Sequence, residues 1–115
     1  MTTLTIKSHT FKPFIIKDSF NRRAIGFRNT IIQSLGKLGL TEDDIDVPME
    51  VMALKRAPAS ALWYLGGYRL YYSYNGSIKF VENLYIVSKV IELEVISILN
   101  GEKTAEDFIR DFTED

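Results

Sequence analysis

Apolar residues recur every three or four positions in two long segments, which predicts two main helices over 19–38 and 78–99. Because a helical turn takes 3.6 residues, this spacing puts the apolar side chains of each segment on one face. Gly39 and Gly101 follow the segments and suit the left-handed conformation that often ends a helix. The apolar positions are Phe20, Ala24, Phe27, Ile31, Leu35 and Leu38 in the first segment and Phe80, Leu84, Val87, Ile91, Val95 and Ile98 in the second.

Between these segments, two runs rich in aromatic residues flank Gly66-Gly67 and predict a β-hairpin over 60–74. Pairing Leu65 with Tyr68 across the turn sets the register, and the alternation of side chains then defines two faces. We expect the face with Trp63 to point into the core. The outer face would carry Ser60, Leu62, Tyr64, Arg69, Tyr71 and Ser73.

Shorter patterns complete the prediction. Residues 3–7 alternate as in a strand, and 14–16 would extend it or pair with it. Residues 41–44 form a short capped turn, while 47–56 fit either a strand, which we favour, or a helix. Ser77 would cap the second main helix.

A short C-terminal helix is predicted after Thr104, where Thr-Ala-Glu-Asp resembles a capping box. Its apolar residues would cover a second apolar strip on the long helix. The covering residues are Phe108, Ile109 and Phe112, and the strip is Tyr85, Ile86, Leu93 and Ile96.

These elements predict a single α+β domain over residues 1–115. A small antiparallel sheet that includes the Gly-Gly hairpin would pack against the two main helices, with the short helix outside. The alternative is an all-α bundle in which residues 47–65 are helical.

The distribution of charge adds a polarity that the net charge of −1 conceals. Residues 1–40 contain seven basic residues and one acidic residue, a balance of +6. Residues 41–75 have three basic and five acidic residues (−2), and residues 76–115 have four basic and nine acidic residues (−5). A basic first third could face an acidic partner, although basic and acidic elements also lie side by side in ordinary folds.

The composition of the chain excludes several kinds of catalytic and metal site. The chain has no cysteine and one histidine, His9, so thiolate zinc sites, disulfides and cysteine nucleophiles are absent. No pattern suggests a metal or a cofactor, since the acidic run 42–46 lacks the spacing of a calcium loop. Gly66-Gly67 is likewise a turn rather than a phosphate loop. We expect no signal peptide, no membrane partner and a cytoplasmic location.

Two charged residues fall on apolar helix faces, Arg28 in the first helix and Glu94 in the second. An unpaired buried charge is costly, so we expect the two to form a structural ion pair, or either to reach a backbone group at the sheet edge.

The most specific functional signal is the outer face of the hairpin. Tyrosine and arginine are enriched at anchor positions of protein interfaces, so Tyr64, Arg69 and Tyr71 predict contact with a protein partner or with a second copy of the chain. In the alternative, a nucleic-acid-binding protein, Arg22, Arg23 and Lys37 would neutralise phosphates while the tyrosines stack on bases. A small enzyme with a carboxylate or tyrosine site is a remote third hypothesis. Cross-strand tyrosine pairs that only stabilise the hairpin would explain the same residues.

Overall fold

The computed structural model describes residues 4–7, 9–11, 20–49, 57–77 and 79–113, and for residues 20–22 the backbone only. Among them it contains five strands, three α-helices and a single 3₁₀ turn at Glu42–Asp44. The strands are β1 (Leu4–Ile6), β2 (His9–Phe11), β3 (Ile45–Asp46), β4 (Ala59–Leu65) and β5 (Tyr68–Tyr74), and the helices are α1 (Phe20–Gly36), α2 (Phe80–Leu99) and α3 (Ala105–Phe112).

All strand pairs are antiparallel. β1 and β2 form a two-stranded sheet, and β3, β4 and β5 form a three-stranded sheet with β4 in the centre. Because 59–65 is a strand, the all-α alternative is wrong and the predicted α+β fold is confirmed. One buried apolar cluster joins residues of both sheets and all three helices.

The Gly-Gly hairpin has the predicted register, with Leu65 opposite Tyr68. Gly66 and Gly67 adopt φ values of 61° and 83°, as a two-residue hairpin turn of the primed type requires. Trp63 is fully buried on the inner face. A residue with a Cβ would be strained at either glycine, so these two positions determine where the chain reverses.

The helices cover the inner face of this sheet. α2 contacts β4 and β5, α1 packs against α2, and α3 contacts β5. Ile31 and Leu35 of α1 are fully buried, as their spacing predicted. α2 begins at Phe80, with Lys79 rather than Ser77 in the N-cap position.

Ser77 instead ties the segment before the helix to its first turns. Its hydroxyl donates to Glu82 Oε1 at 2.5 Å, and its backbone N–H donates to Asn83 Oδ1 at 2.8 Å. The buried Asn83 amide also donates to the carbonyl of Ala57 at 2.8 Å, which links α2 to the residues that enter β4. Because Ser77 makes these bonds, the N-cap position falls at Lys79, two residues after the predicted cap.

α3 begins with the predicted capping box. The Asp107 backbone N–H donates to Thr104 Oγ1 at 3.0 Å, and the Asp107 carboxylate accepts from the Thr104 backbone N–H. The two phenylalanines of α3 pack on the sheet. The ring centres of Phe108 and Phe112 each lie 5.7 Å from that of Trp63 on the sheet.

The second apolar strip of α2 is covered differently. Tyr85 packs on Phe11 of β2 and Phe27 of α1, at ring distances of 6.3 and 5.3 Å. Ile96, further along the strip, stays 40% exposed.

The short strands were only partly predicted. β1 lies within the strand predicted over 3–7, but β2 and β3 were not expected. The predicted strand at 14–16 lies outside the described residues, as does 50–56, and Val47–Met49 belong to no helix or strand. Among the described helices, none combines the length and apolarity needed to cross a membrane.

Candidate functional site

The outer hairpin face, defined as Ser60, Leu62, Tyr64, Arg69, Tyr71 and Ser73, points away from the helices. Tyr64 lies opposite Arg69 across the strands, and Tyr71 lies opposite Leu62. Tyr64 is 48% and Tyr71 38% exposed, although both are large aromatic residues. Asp46 of β3 lies opposite Leu62 on its other side and extends this row across all three strands.

The structure therefore brings the predicted contact residues Tyr64, Arg69 and Tyr71 onto one surface. Their role in contact stays a prediction. Tyr68 is 54% exposed, more than either tyrosine of the outer face. It lies beside the turn and belongs to the other face of the hairpin, together with Leu65 and Leu70. It is thus a natural control for any substitution on the outer hairpin face.

The basic residues of the alternative hypothesis lie elsewhere. Arg23 is an exposed residue of α1, Lys37 directly follows that helix, and the side chain of Arg22 is outside the described part. Arg23 and Lys37 therefore belong to a helix that packs on α2 and to the turn after it, whereas the tyrosines belong to the hairpin itself.

The second candidate site is built around Glu94, which is 2% exposed within α2. Its Oε2 contacts His9 Nε2 from β2, and its Oε1 contacts Lys103 Nζ from the loop before α3. Lys103 Nζ also pairs with Asp111 Oδ2 of α3 at 2.7 Å. One buried carboxylate thus connects the N-terminal strand pair, the long helix and the C-terminal helix.

The sequence correctly placed Glu94 on the packed side of its helix but named the wrong partner. In the described part of the chain no ion pair joins Arg28 to Glu94, because His9 and Lys103 occupy the two carboxylate oxygens. Arg28 is only partly buried, and partial exposure lets its long side chain reach water.

The charges of this cluster shift its pKa values. Burial by itself would lower the pKa of Lys103, but hydrogen bonds to Asp111 and Glu94, together with their charges, outweigh it and raise the pKa. In return, the hydrogen bond from Lys103 holds the pKa of Asp111 below its usual range, and burial opposes this only in part. Lys103 and Asp111 are therefore charged at neutral pH.

A cavity of about 480 Å³ opens over this cluster. Its ionisable lining residues are Lys7, His9, Glu94, Glu102, Lys103 and Asp111, and we call this site the charged pocket. Lys7 Nζ lies 4.6 Å from the ring centre of Phe112 and 5.8 Å from that of Tyr72, which places a cation on the aromatic wall beside the pocket.

Sequence reasoning missed the charged pocket almost entirely. It counted His9 as the one histidine of the chain without assigning it a partner, and it did not consider Lys103 or Asp111. The one usable signal was Glu94 on an apolar helix face. Its partners come from distant parts of the chain, His9 being 85 residues away, so local spacing could not identify them.

As to chemistry, no group of three or more His, Asp or Glu side chains within the described ranges is arranged to hold a metal ion. Comparisons with models of protein families, with curated proteins and with solved structures give no match. The function is therefore inferred from the geometry of this chain.

Proposed function

We propose that this protein acts by binding a protein partner, another protein or a second copy of itself, through the outer hairpin face. The observation that carries the proposal is the exposure of Tyr64 and Tyr71 beside Arg69 on the sheet face that points away from the helices. Tyrosine offers a large, rigid contact area with a polar end, and arginine offers several hydrogen-bond donors. These residue types carry much of the binding energy in protein interfaces.

The arrangement of charge favours a protein over a nucleic acid. A single-stranded nucleic acid needs cations along its backbone where its bases stack. Arg23 and Lys37 belong to α1 and the turn after it, so on the outer hairpin face the cation beside the tyrosines is Arg69, and Asp46 shares that face. A phosphate chain crossing this face would meet that carboxylate, whereas a protein surface can offer it a donor.

Position-specific photocrosslinking tests the proposal. A photoreactive phenylalanine analogue replaces Tyr71 in one variant and Tyr68 in a second, and each is irradiated both purified and in an extract of the native host. We expect a protein adduct from position 71 and little from position 68, because only position 71 lies on the outer hairpin face. An adduct of twice the chain mass in the purified sample would identify the partner as a second copy.

Affinity measurements then separate binding from hairpin stability. With the captured partner, or by sedimentation for self-association, Tyr71→Glu should weaken binding about 30-fold, as expected for an interface anchor worth roughly 2 kcal/mol. Tyr68→Glu, the matched control, should leave binding unchanged. Equal adducts from both positions, or equal losses for both variants, would contradict the proposal. Salt-sensitive binding of a labelled oligonucleotide that Tyr71→Glu abolishes would instead favour the nucleic-acid alternative.

A further inference from the structure

The charged pocket has features of a ligand site that is separate from the outer hairpin face. Its volume of about 480 Å³ lies within the range of roughly 300–1,000 Å³ that is typical of small-molecule sites. Glu94, at its wall, is 2% exposed on a helix whose neighbouring residues Val90, Ile91 and Val95 are buried and apolar. A leucine there would avoid the desolvation of the carboxylate and of the ammonium that pairs with it, so stability alone does not explain the carboxylate. Buried charges beside a cleft are typical of functional sites.

The internal ion pairs of the pocket join Glu94, Lys103, Asp111 and His9, and the charge of Lys7 also contributes to lowering the pKa of Asp111. Glu94 is matched by His9 and Lys103, and Lys103 is shared with Asp111. Within the described ranges, neither Lys7 nor Glu102 forms an ion pair. Lys7 lies over aromatic rings, and Glu102 accepts only a long hydrogen bond of 3.4 Å from the Asn100 amide.

From this charge pattern we propose that the charged pocket binds a small zwitterion of the amino-acid or dipeptide class. The ligand carboxylate pairs with Lys7, and the ligand ammonium pairs with Glu102.

The charge balance also argues against other ligand classes. Two lysines and three carboxylates line the pocket, a net charge of −1 when the imidazole is uncharged. A polyphosphate would meet Glu102 and Asp111, and a simple cation would meet Lys7 and Lys103. A ligand that carries both signs avoids both repulsions.

Isothermal titration of the full chain with L-alanine and L-alanyl-L-alanine tests the inference. Each zwitterion is compared with its N-acetyl form, which lacks the ammonium, and with its C-terminal amide, which lacks the carboxylate. At least one zwitterion should bind, and each of its blocked forms should bind about tenfold more weakly, the factor for a lost charge-assisted hydrogen bond of about 1.4 kcal/mol. Failure of both zwitterions to bind, binding of the blocked forms with equal affinity, or tighter binding of inorganic phosphate would overturn it.

Two variants assign the ends of the ligand. The Lys7→Gln variant should bind the zwitterion about tenfold more weakly than the unaltered chain does. It should also bind the zwitterion and its C-terminal amide equally, since neither ligand can then pair a carboxylate with Lys7. The Glu102→Gln variant should likewise bind the zwitterion and its N-acetyl form equally, since neither can then pair an ammonium with Glu102. Lys37→Gln and Glu42→Gln, at exposed positions that do not line the pocket, are the matched controls and should bind as the unaltered chain does.

The assignment of Lys7 to the carboxylate and Glu102 to the ammonium would be refuted if Lys7→Gln still preferred the zwitterion to the amide and Glu102→Gln still preferred it to the N-acetyl form. Should either variant fail to fold, the comparison of blocked and free ligands on the unaltered chain still decides the question. Tyr71→Glu should bind the zwitterion normally, so failure of the outer-face proposal and failure of this one are distinguishable.

Discussion

The buried carboxylate of Glu94 allows a sharp test of how this fold is held together. Replacing it with glutamine keeps the shape of the side chain and removes its charge, which leaves His9 and Lys103 without their ionic partner. Breaking a buried pair by altering one member costs about 3–5 kcal/mol. The expected loss lies below that range, because Lys103 keeps its 2.7 Å contact with Asp111 and the side chains of His9 and Lys103 are 15–18% exposed.

We therefore expect Glu94→Gln to lower the free energy of unfolding by about 2–3 kcal/mol, or the melting temperature by roughly 10 °C for a chain of 115 residues. Urea denaturation followed by the fluorescence of Trp63 measures the loss, because this sole tryptophan is fully buried in the fold. Glu92→Gln is the matched control on the same helix. Its carboxylate makes a 3.3 Å pair with Lys89 at a half-exposed site, and its loss should change stability by less than about 0.5 kcal/mol.

A triple variant, His9→Leu with Glu94→Leu and Lys103→Met, completes the test. Because it removes the buried charges together, it should be more stable than Glu94→Gln, as found when apolar residues replace whole buried ion-pair clusters. The reasoning is refuted if Glu94→Gln unfolds within about 0.5 kcal/mol of the unaltered chain, or if the triple variant is the less stable of the two.

Three further predictions follow from local geometry. Gly67→Ala should lower the free energy of unfolding by about 1–2 kcal/mol, because φ is 83° there. Gly26→Ala, where an added Cβ on α1 would meet open space, should raise it by about 0.5–1 kcal/mol. In urea denaturation, a gain for Gly67→Ala or a loss for Gly26→Ala would contradict the corresponding prediction. Phe112→Ala should lose about 3–5 kcal/mol, because the ring is buried against Trp63, and a loss below 1 kcal/mol would show that the aromatic cluster does not support the sheet. Burial raises the pKa of Tyr72 to about 12, with the charge of Tyr74 adding to the effect. Since the unfolded phenol ionises near pH 10, stability from this residue is complete below that pH and disappears as the pH rises through 12. In an absorbance titration of tyrosinate in the folded protein, Tyr72→Phe should remove a step near pH 12, and loss of a step near pH 10 would contradict the shift.

The hairpin shows which features the sequence could predict. Its register follows from Gly66-Gly67, because positive φ at two consecutive positions specifies the turn and the turn specifies the pairing. Once the register is known, alternation decides that Trp63 is buried and that Tyr64 and Tyr71 are exposed. The capping box at Thr104 was predictable for the same reason, since all its atoms lie within four residues.

The covering of apolar surfaces was not predictable in this way. Phe108 and Phe112 could have covered either α2 or the sheet, since both surfaces are apolar and hydrophobic attraction has no direction. In the fold, both phenylalanine rings pack against the ring of Trp63. β2 and β3 were missed because two or three residues are too short for a periodic pattern to be recognised.

Elements with local signals can be inferred from the sequence: the two main helices, the hairpin with its two faces, and the capped C-terminal helix. The position of Glu94 on an apolar helix face also indicates that this residue needs a partner. That His9 and Lys103 are those partners, and that a pocket lies above them, depends on how distant segments pack together. The physical reason is that charge pairing and cavity shape depend on which segments meet in space, and residues 85 positions apart leave no periodic trace of that meeting.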